Sequence, residues 1–336
     1  MIVKTILHMA DLHLGAKNLK LPSDKQKILA QEHIQALAEV FSQPCDIVLV
    51  CGDLFHSNFV SSKLKKAFWQ QVENFAKPVL YVKGNHDEKA MLSDAPANFH
   101  ILDESNKVFR TENVDFWCAS QNYKDFDKSK KNVLLLHGSV SNKADNDYLE
   151  IEKLLTEKFD YVALGHEHSF WQGQSGQTTL AYSGALFANG FDECGQKGYI
   201  IVNEDFKPHF QPLAQRNFKI LDFSISDICD MQQLKEELKK LVSGQKQNII
   251  RVVLRGYYQE GQEFDFDKLG SDYQGFYIEF VDKTKIKIDL EKYKNEVLSF
   301  KAEFIKLVEE SELSEEDKNK ILRIGIEALQ GDDLSI

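Results

Sequence analysis

The chain has 336 residues, 43% of them hydrophobic and 28% charged, with a formal net charge of -11. That length accommodates a full core and more than one domain, and no apolar run approaches the ~20 residues that span a bilayer. The acidic balance argues against broad, nonspecific nucleic-acid binding, although residues 286–336, with 8 Lys/Arg against 13 Asp/Glu, carry a good part of it.

In chain order, Met1–Leu7 lacks the long apolar stretch and cleavage site of a signal peptide, so a cytoplasmic protein is expected. It reads as the start of a strand, Ile2–Met9. Further short runs rich in Val, Ile and Leu follow at Asp46–Cys51, Val79–Val82, Asn132–Leu136 and Tyr161–Leu164, and read as buried strands. Between them Ser23–Phe41, Ser61–Ala76 and Asp147–Lys158 have helical spacing, with Ser61-Ser62 as a helix start. The alternation implies an α/β domain. Thr178–Tyr182, Gly198–Val202 and Pro208–Pro212 read as a second sheet.

After Asn217 the pattern changes. Strands at Lys219–Ser224, Asn248–Arg255 and Gly275–Val281 and a helix at Met231–Val242 make a small α+β unit. The tail carries two amphipathic helices. The first spaces Tyr293, Val297, Phe300, Phe304 and Leu307 at three- and four-residue intervals. The second starts at Ser314, with Asp317 at the capping-box position. The five cysteines are odd in number and lack C-x-x-C spacing, so buried free thiols are expected rather than a disulfide framework.

Five short segments carry metal-ligand chemistry, and each begins where a strand run ends. They are Asp11-Leu12-His13, Gly52-Asp53, Gly84-Asn85-His86-Asp87, His137-Gly138 and Gly165-His166-Glu167-His168. In α/β sheets, ligands gather beyond the carboxyl ends of the strands. Asp11 and His13 are two apart, as are His166 and His168, so in extended chain each pair shares a face. Phosphodiesters repel nucleophiles, and two divalent cations ~3.5–4 Å apart relieve that repulsion and activate a water. Asp53 is the natural bridge between two ions. Asp11 and His13 suit one, Asn85 and His137 the other, and His166 and His168 could each serve one. His86 is left to stabilise charge or protonate the leaving oxygen, with Asp87 placed to orient it. Singly, each segment has an ordinary reading as a turn, a helix cap or a structural histidine; in conjunction they read as a dinuclear site. The mixed carboxylate, amide and imidazole set, without thiolate, favours manganese over zinc. His8, His33, His100 and His209 are expected to have local structural roles.

The five segments resemble the calcineurin-like metallophosphoesterases. His8-Met9-Ala10-Asp11-Leu12-His13-Leu14-Gly15, Gly52-Asp53-Leu54-Phe55-His56, and Tyr182-Ser183-Gly184 followed by Lys197-Gly198-Tyr199 are similar to the SbcD-type DNA repair nucleases within that superfamily. The resemblance implies a β-sandwich flanked by helices at 1–213, a small α+β cap at 218–285 and a helical segment at 289–332. It implies two metal ions, one held by Asp11, His13, Asp53 and His168, the other by Asp53, Asn85, His137 and His166. It further implies His86 as the catalytic histidine and His56 as a residue that places the substrate strand. Implied partners are DNA ends and single strands, an SMC-like ABC-type ATPase bound through the tail helices, and a second copy of the chain. Lys63, Lys65, Lys66, Lys124, Lys128, Lys130 and Lys131 are candidate phosphate contacts, with a solvated surface as their ordinary reading. Two rivals stay open: a phosphoesterase of small substrates or phosphoproteins on the same fold, and a scaffold without activity.

Overall fold

The computed structural model describes the chain apart from residues 18–19, 58–59, 88–91, 121–122, 124–125, 156, 260–261, 263, 267–268, 270–272, 288–298 and 331–336. The chain divides into two compact units, one of residues 1–219 with 247–249, the other of 220–246 with 250–336. No described helix is long and apolar enough to cross a membrane.

The first unit is built on two six-stranded sheets. One runs, in spatial order, β12 (Pro208–Pro212), β11 (Gly198–Val202), β1 (Ile6–Met9), β2 (Ile47–Cys51), β3 (Val79–Val82) and β4 (Phe99–Ile101). The other runs β5 (Val108–Arg110), β6 (Val114–Cys118), β7 (Lys131–His137), β8 (Tyr161–Gly165), β10 (Thr178–Tyr182) and β9 (Trp171–Ser175). β1 to β4 are parallel to one another, and so are β6, β7, β8 and β10. Parallel strands are covered on both faces and therefore read as continuous apolar runs. Their period-two alternation sorts the side chains. Ile6, Ile47, Leu49 and Leu80 meet Phe116, Val133, Leu135 and Ala163 between the sheets. Leu7, Met9, Val48 and Val50 turn the other way, onto Leu37 and Phe41 of α1 (Ser23–Phe41) and Phe68 and Val72 of α2 (Ser62–Phe75). The Ser61 side chain caps α2 by accepting from Leu64 N at 3.3 Å.

In the second unit α4 (Met231–Val242) lays Leu234, Leu238 and Val242 against Ile250, Val252 and Leu254 of the sheet β13 (Phe218–Ser224), β14 (Ile249–Arg255) and β16 (Tyr277–Asp282). Asp230 caps α4 through Gln233 N at 2.8 Å. β15 (Tyr257–Gln259) pairs in parallel with β17 (Lys285–Lys287). Two tail helices, α5 (Phe300–Glu309) and α6 (Glu315–Gln330), enclose Ile305, Val308 and Leu322. Ser314 Oγ accepts from Asp317 N and donates to Asp317 Oδ2, the capping pattern expected there. Tyr293 and Val297 of the expected first tail helix lie outside the described residues.

Four expectations change. The three strands read as a second sheet part company: β10 joins β8, while β11 and β12 extend the first sheet beside β1. The expected helix at Asp147–Lys158 is reduced to α3 (Ile151–Leu154), because Asp147 and Leu149 spend their backbone groups on Ser139. The first strand starts at Ile6 rather than Ile2, since the amides of Val3, Lys4 and Thr5 donate to the Asn113 and Asp46 side chains. Of the cysteines, Cys45, Cys51 and Cys118 are buried as expected, whereas Cys194 and Cys229 are exposed.

Candidate metal centre

Asp11 follows β1, Asp53 follows β2 and Asn85 follows β3, all in the first sheet; His137 ends β7 and His166 follows β8, in the second. The site thus forms where the carboxyl ends of both sheets converge. Backbone hydrogen bonds hold the loops in step: Asp11 N donates to Gly52 O at 3.1 Å and His13 N to Asp53 O at 2.9 Å. The two aspartates add cross-links, since Asp11 accepts from His166 N at 2.9 and 3.0 Å and Asp53 Oδ1 from His86 N at 3.0 Å. The approach is tight. A Cβ on Gly165 would overlap the Cys51 carbonyl oxygen, and one on Gly52, at φ +82°, would overlap the His137 ring.

The backbone at these positions is strained. Asp11, His13 and Asp53 have φ of 51°, 42° and 50°, and His166 has 106°. Each such residue costs roughly 1–3 kcal/mol and persists where its surroundings over-determine it. The expectation that Asp11 and His13 share a face through extended chain is therefore replaced by two consecutive-but-one left-handed residues that turn into the site.

The side chains bring lone pairs together with few hydrogens between them. His13 Nε2 lies 3.1 Å from His168 Nε2 and 3.5 Å from Asp53 Oδ2. His137 Nε2 lies 3.1 Å from Asn85 Oδ1 and 3.6 Å from Asp53 Oδ1, and its Nδ1 donates to Cys51 O at 2.9 Å. With its amide oxygen turned inward, Asn85 faces only acceptors; rotated, its nitrogen would donate to Asp53 at 3.2 and 3.3 Å. His13 Nδ1 is buried without a partner. Donor atoms of Asp11, His13 and His168 lie within 4.8 Å of one another, as do those of Asp11, Asp53 and His137, and those of His13, His56 and His86. Converging acceptors of this kind are what a cation satisfies, so the residues fit divalent metal.

Electrostatics favour ligation at His13 and His137. Burial pulls His13 down to about 4 and lowers His137, keeping both imidazoles neutral as ligation requires. Burial pushes Asp11 well above the usual carboxylate range, and a nearby cation would favour its ionised form. For His168 burial pulls down, but the bond to Glu193 and the charge of Asp11 outweigh it and raise the group.

Residues 4–170 match the family model described as calcineurin-like phosphoesterase. The chain carries a calcineurin-like metallophosphoesterase domain. All ten site residues read from the sequence lie inside that range. Among relatives, the DNA double-strand break repair protein Mre11 of Methanocaldococcus jannaschii is 26% identical over 267 residues, covering 70% of this chain and 68% of its own. The uncharacterized metallophosphoesterase YhaO of Bacillus subtilis is 24% identical over 293 residues, covering 75% and 72%. A solved structure from Thermus thermophilus, that of the protein TT1561, is 12% identical with a TM-score of 0.42, covering 63% of this chain and 99% of that one.

Within the metallophosphoesterase domain the ten residues are distributed as follows. Asp11, His13, Asp53, Asn85, His137 and His168 form the convergent set. His166 stands beside His137, ring centroids 5.4 Å apart, with Nε2 3.0 Å from Asp145 Oδ2. His86 packs on His13 at 4.9 Å and lies parallel to His56 at 5.8 Å, with Nδ1 3.2 Å from the His56 carbonyl oxygen. Asp87 does not orient His86. Its fully buried carboxylate accepts from Leu54 N at 2.9 Å, Phe55 N at 3.0 Å and Tyr81 OH at 2.7 Å, clamping the loop that carries Asp53. The residue next to His86 in sequence is thus turned into the protein, where two loop amides need an acceptor.

Sequence reasoning missed Tyr81, Asp145 and Glu193, which touch the site only through the fold, and singled out Lys197 only within the Lys197-Gly198-Tyr199 resemblance, with no role for it. The candidate phosphate lysines are largely occupied: Lys65 pairs with Asp94, Lys128 with Glu157, Lys130 with Asp115 and Lys131 with Asp160. Lys124 lies outside the described residues. His8 has the structural role expected of it, buried with Nδ1 2.9 Å from Tyr161 OH and Nε2 3.1 Å from Leu164 O.

Proposed function

We propose that this chain is a DNA nuclease that hydrolyses phosphodiester bonds with two divalent ions, manganese by preference. Asp11, His13, Asp53 and His168 would hold one ion, and Asp53, Asn85, His137 and His166 the other. When bound, such a pair neutralises phosphate oxygens and activates the attacking water. The observation that carries the reading is the convergence of acceptors from both sheets, with Asp53 between His13 and His137.

The remaining steps belong to the chain. Asp53 and Asp11 are fixed by amides of the 84–87 and 165–168 segments, so the ligand geometry is set before metal arrives. With Nδ1–H donated to the His56 carbonyl oxygen, a protonated His86 imidazole would still carry an Nε2–H to give to the leaving oxygen. His56, exposed beside it, would help to place the substrate strand. The name of the Mre11 relative supports DNA as substrate. Residues 218–285 would act as a cap on the 1–213 domain, in the cytoplasm. Residues 289–332 would bind an SMC-like ABC-type ATPase, a role that suits Phe300 and Leu307, 91% and 61% exposed on α5. A second copy would pair through α1 and α2.

The test is hydrolysis by the full chain with Mn2+ of end-labelled blunt duplex and single-stranded DNA, against bis(p-nitrophenyl) phosphate. The reading expects release of nucleotides from DNA. Turnover of the small ester with intact DNA would return the rival reading, a phosphoesterase of small substrates.

A further inference from the structure

Two residues of the segment 189–197, Glu193 and Lys197, close on one histidine, and both lie beyond the stretch that matches the family model. Glu193 Oε1 bonds His168 Nδ1, and its Oε2 accepts from Asn189 N at 2.6 Å. Lys197 Nζ, on a residue only 3% exposed, donates to the His168 carbonyl oxygen at 2.7 Å. The imidazole and the backbone of His168 are thus held by opposite charges from a single loop. Glu193 is itself mostly buried, with 11% of its side chain exposed.

A carboxylate on Nδ1 has a defined consequence. It keeps the proton on that nitrogen and leaves the Nε2 lone pair for a cation, while fixing the plane of the ring. Nε2 is the atom that stands 3.1 Å from His13 Nε2 and within the cluster of Asp11, His13 and His168. Burying Glu193 and Lys197 costs free energy unless each has a partner. His168 supplies one to both, and Asn189 N supplies Glu193 with another.

We infer that Glu193 is the positioning residue of His168, selecting its Nε2 for the metal shared with Asp11 and His13, with Lys197 anchoring the same residue by its backbone. This inference rests on the metal reading proposed above. The segment 189–193 that holds Glu193 also lines the site pocket, through Asn189, Gly190 and Asp192. The positioning contact is therefore part of the pocket wall.

The test is a double-mutant cycle read by calorimetric titration of metal-stripped full chain with Mn2+, which needs no turnover. Glu193→Ala should weaken manganese binding about 10- to 100-fold, the usual effect of removing a ligand's partner. In the His168→Ala background the same change should alter affinity less than about twofold, because Glu193 acts only through that ring. Glu193→Gln keeps an oxygen to accept from Nδ1–H and should lose less than Ala; should Ala fail to fold, the cycle is run with Gln and the same coupling is expected. Equal losses in both backgrounds, or wild-type affinity in Glu193→Ala, overturn the inference while leaving the metal reading intact. Absence of manganese binding by the wild-type chain overturns both.

Discussion

Asp87→Asn separates two roles for a residue that the sequence places beside His86, the proposed catalytic histidine. In the structure Asp87 Oδ1 accepts from Phe55 N, and Oδ2 accepts from Leu54 N and Tyr81 OH. Asparagine has one acceptor oxygen. Its better orientation keeps that oxygen on Leu54 N and Tyr81 OH and turns the NH2 toward Phe55 N, leaving a buried donor unpaired. A lost hydrogen bond to a charged acceptor costs ~1.5–3 kcal/mol, and the two retained bonds lose charge assistance; the total is about 3 kcal/mol. Tyr81→Phe strands no amide and should cost about half as much. All three tryptophans, Trp69, Trp117 and Trp171, lie in the first unit, so urea unfolding followed by tryptophan fluorescence reports on that unit. Manganese affinity should fall in step with stability, because the loop released is the one that holds Asp53 at φ 50°. Wild-type stability with lost cleavage would refute the clamp and restore Asp87 as a partner of His86.

Three further outcomes are expected. His86→Ala should keep manganese at the wild-type stoichiometry by elemental analysis while cleavage falls by about 10²–10⁴-fold, the usual worth of a general acid; loss of metal would move His86 among the ligands. Asp53→Asn removes the anion between His13 and His137 and should abolish metal binding in the same analysis, full occupancy being the adverse result. His8 is lowered from 6.5 to about 3 by burial. Below about pH 6.5 the unfolded chain takes up a proton that the folded chain refuses, so this stability is complete above that pH and is lost as pH falls toward the folded value. The slope is about 1.4 kcal/mol per pH unit, or about 2 kcal/mol by about pH 5; His8→Gln should flatten the unfolding profile by that amount, and parallel profiles would contradict the assignment.

The ligand loops were legible because each Asp, Asn or His stands at the end of a fully apolar run, and parallel strands covered on both faces must be apolar throughout. The α1, α2 and α4 helices were legible from their apolar spacing, and α2 also from Ser61 as its start, whereas the Asp230 cap of α4 is seen only in the structure. β6 was not legible, because Asp115 interrupts it at its second residue; that carboxylate is fully buried and reads as a strand residue only once Arg110 and Lys130 are seen against it. The helix expected at Asp147–Lys158 had the right spacing, but Ser139 competes for its backbone. Glu193, Asp145 and Tyr81 gave no signal, since their meaning depends on a histidine or carboxylate distant in sequence. Asp87 misled for the converse reason: adjacency to His86 suggested contact, and the buried amides of Leu54 and Phe55 claimed it instead.

The central claim is that Asp53 stands between two metal ions held by the ends of both sheets. A crystal of the full chain grown with Mn2+ and measured at the manganese edge tests it directly. The expected anomalous map has two peaks about 3.5–4 Å apart, one on the side of His13 and His168 and the other on the side of Asn85 and His137, with Asp53 touching both. A single peak, or peaks away from Asp53, would contradict it.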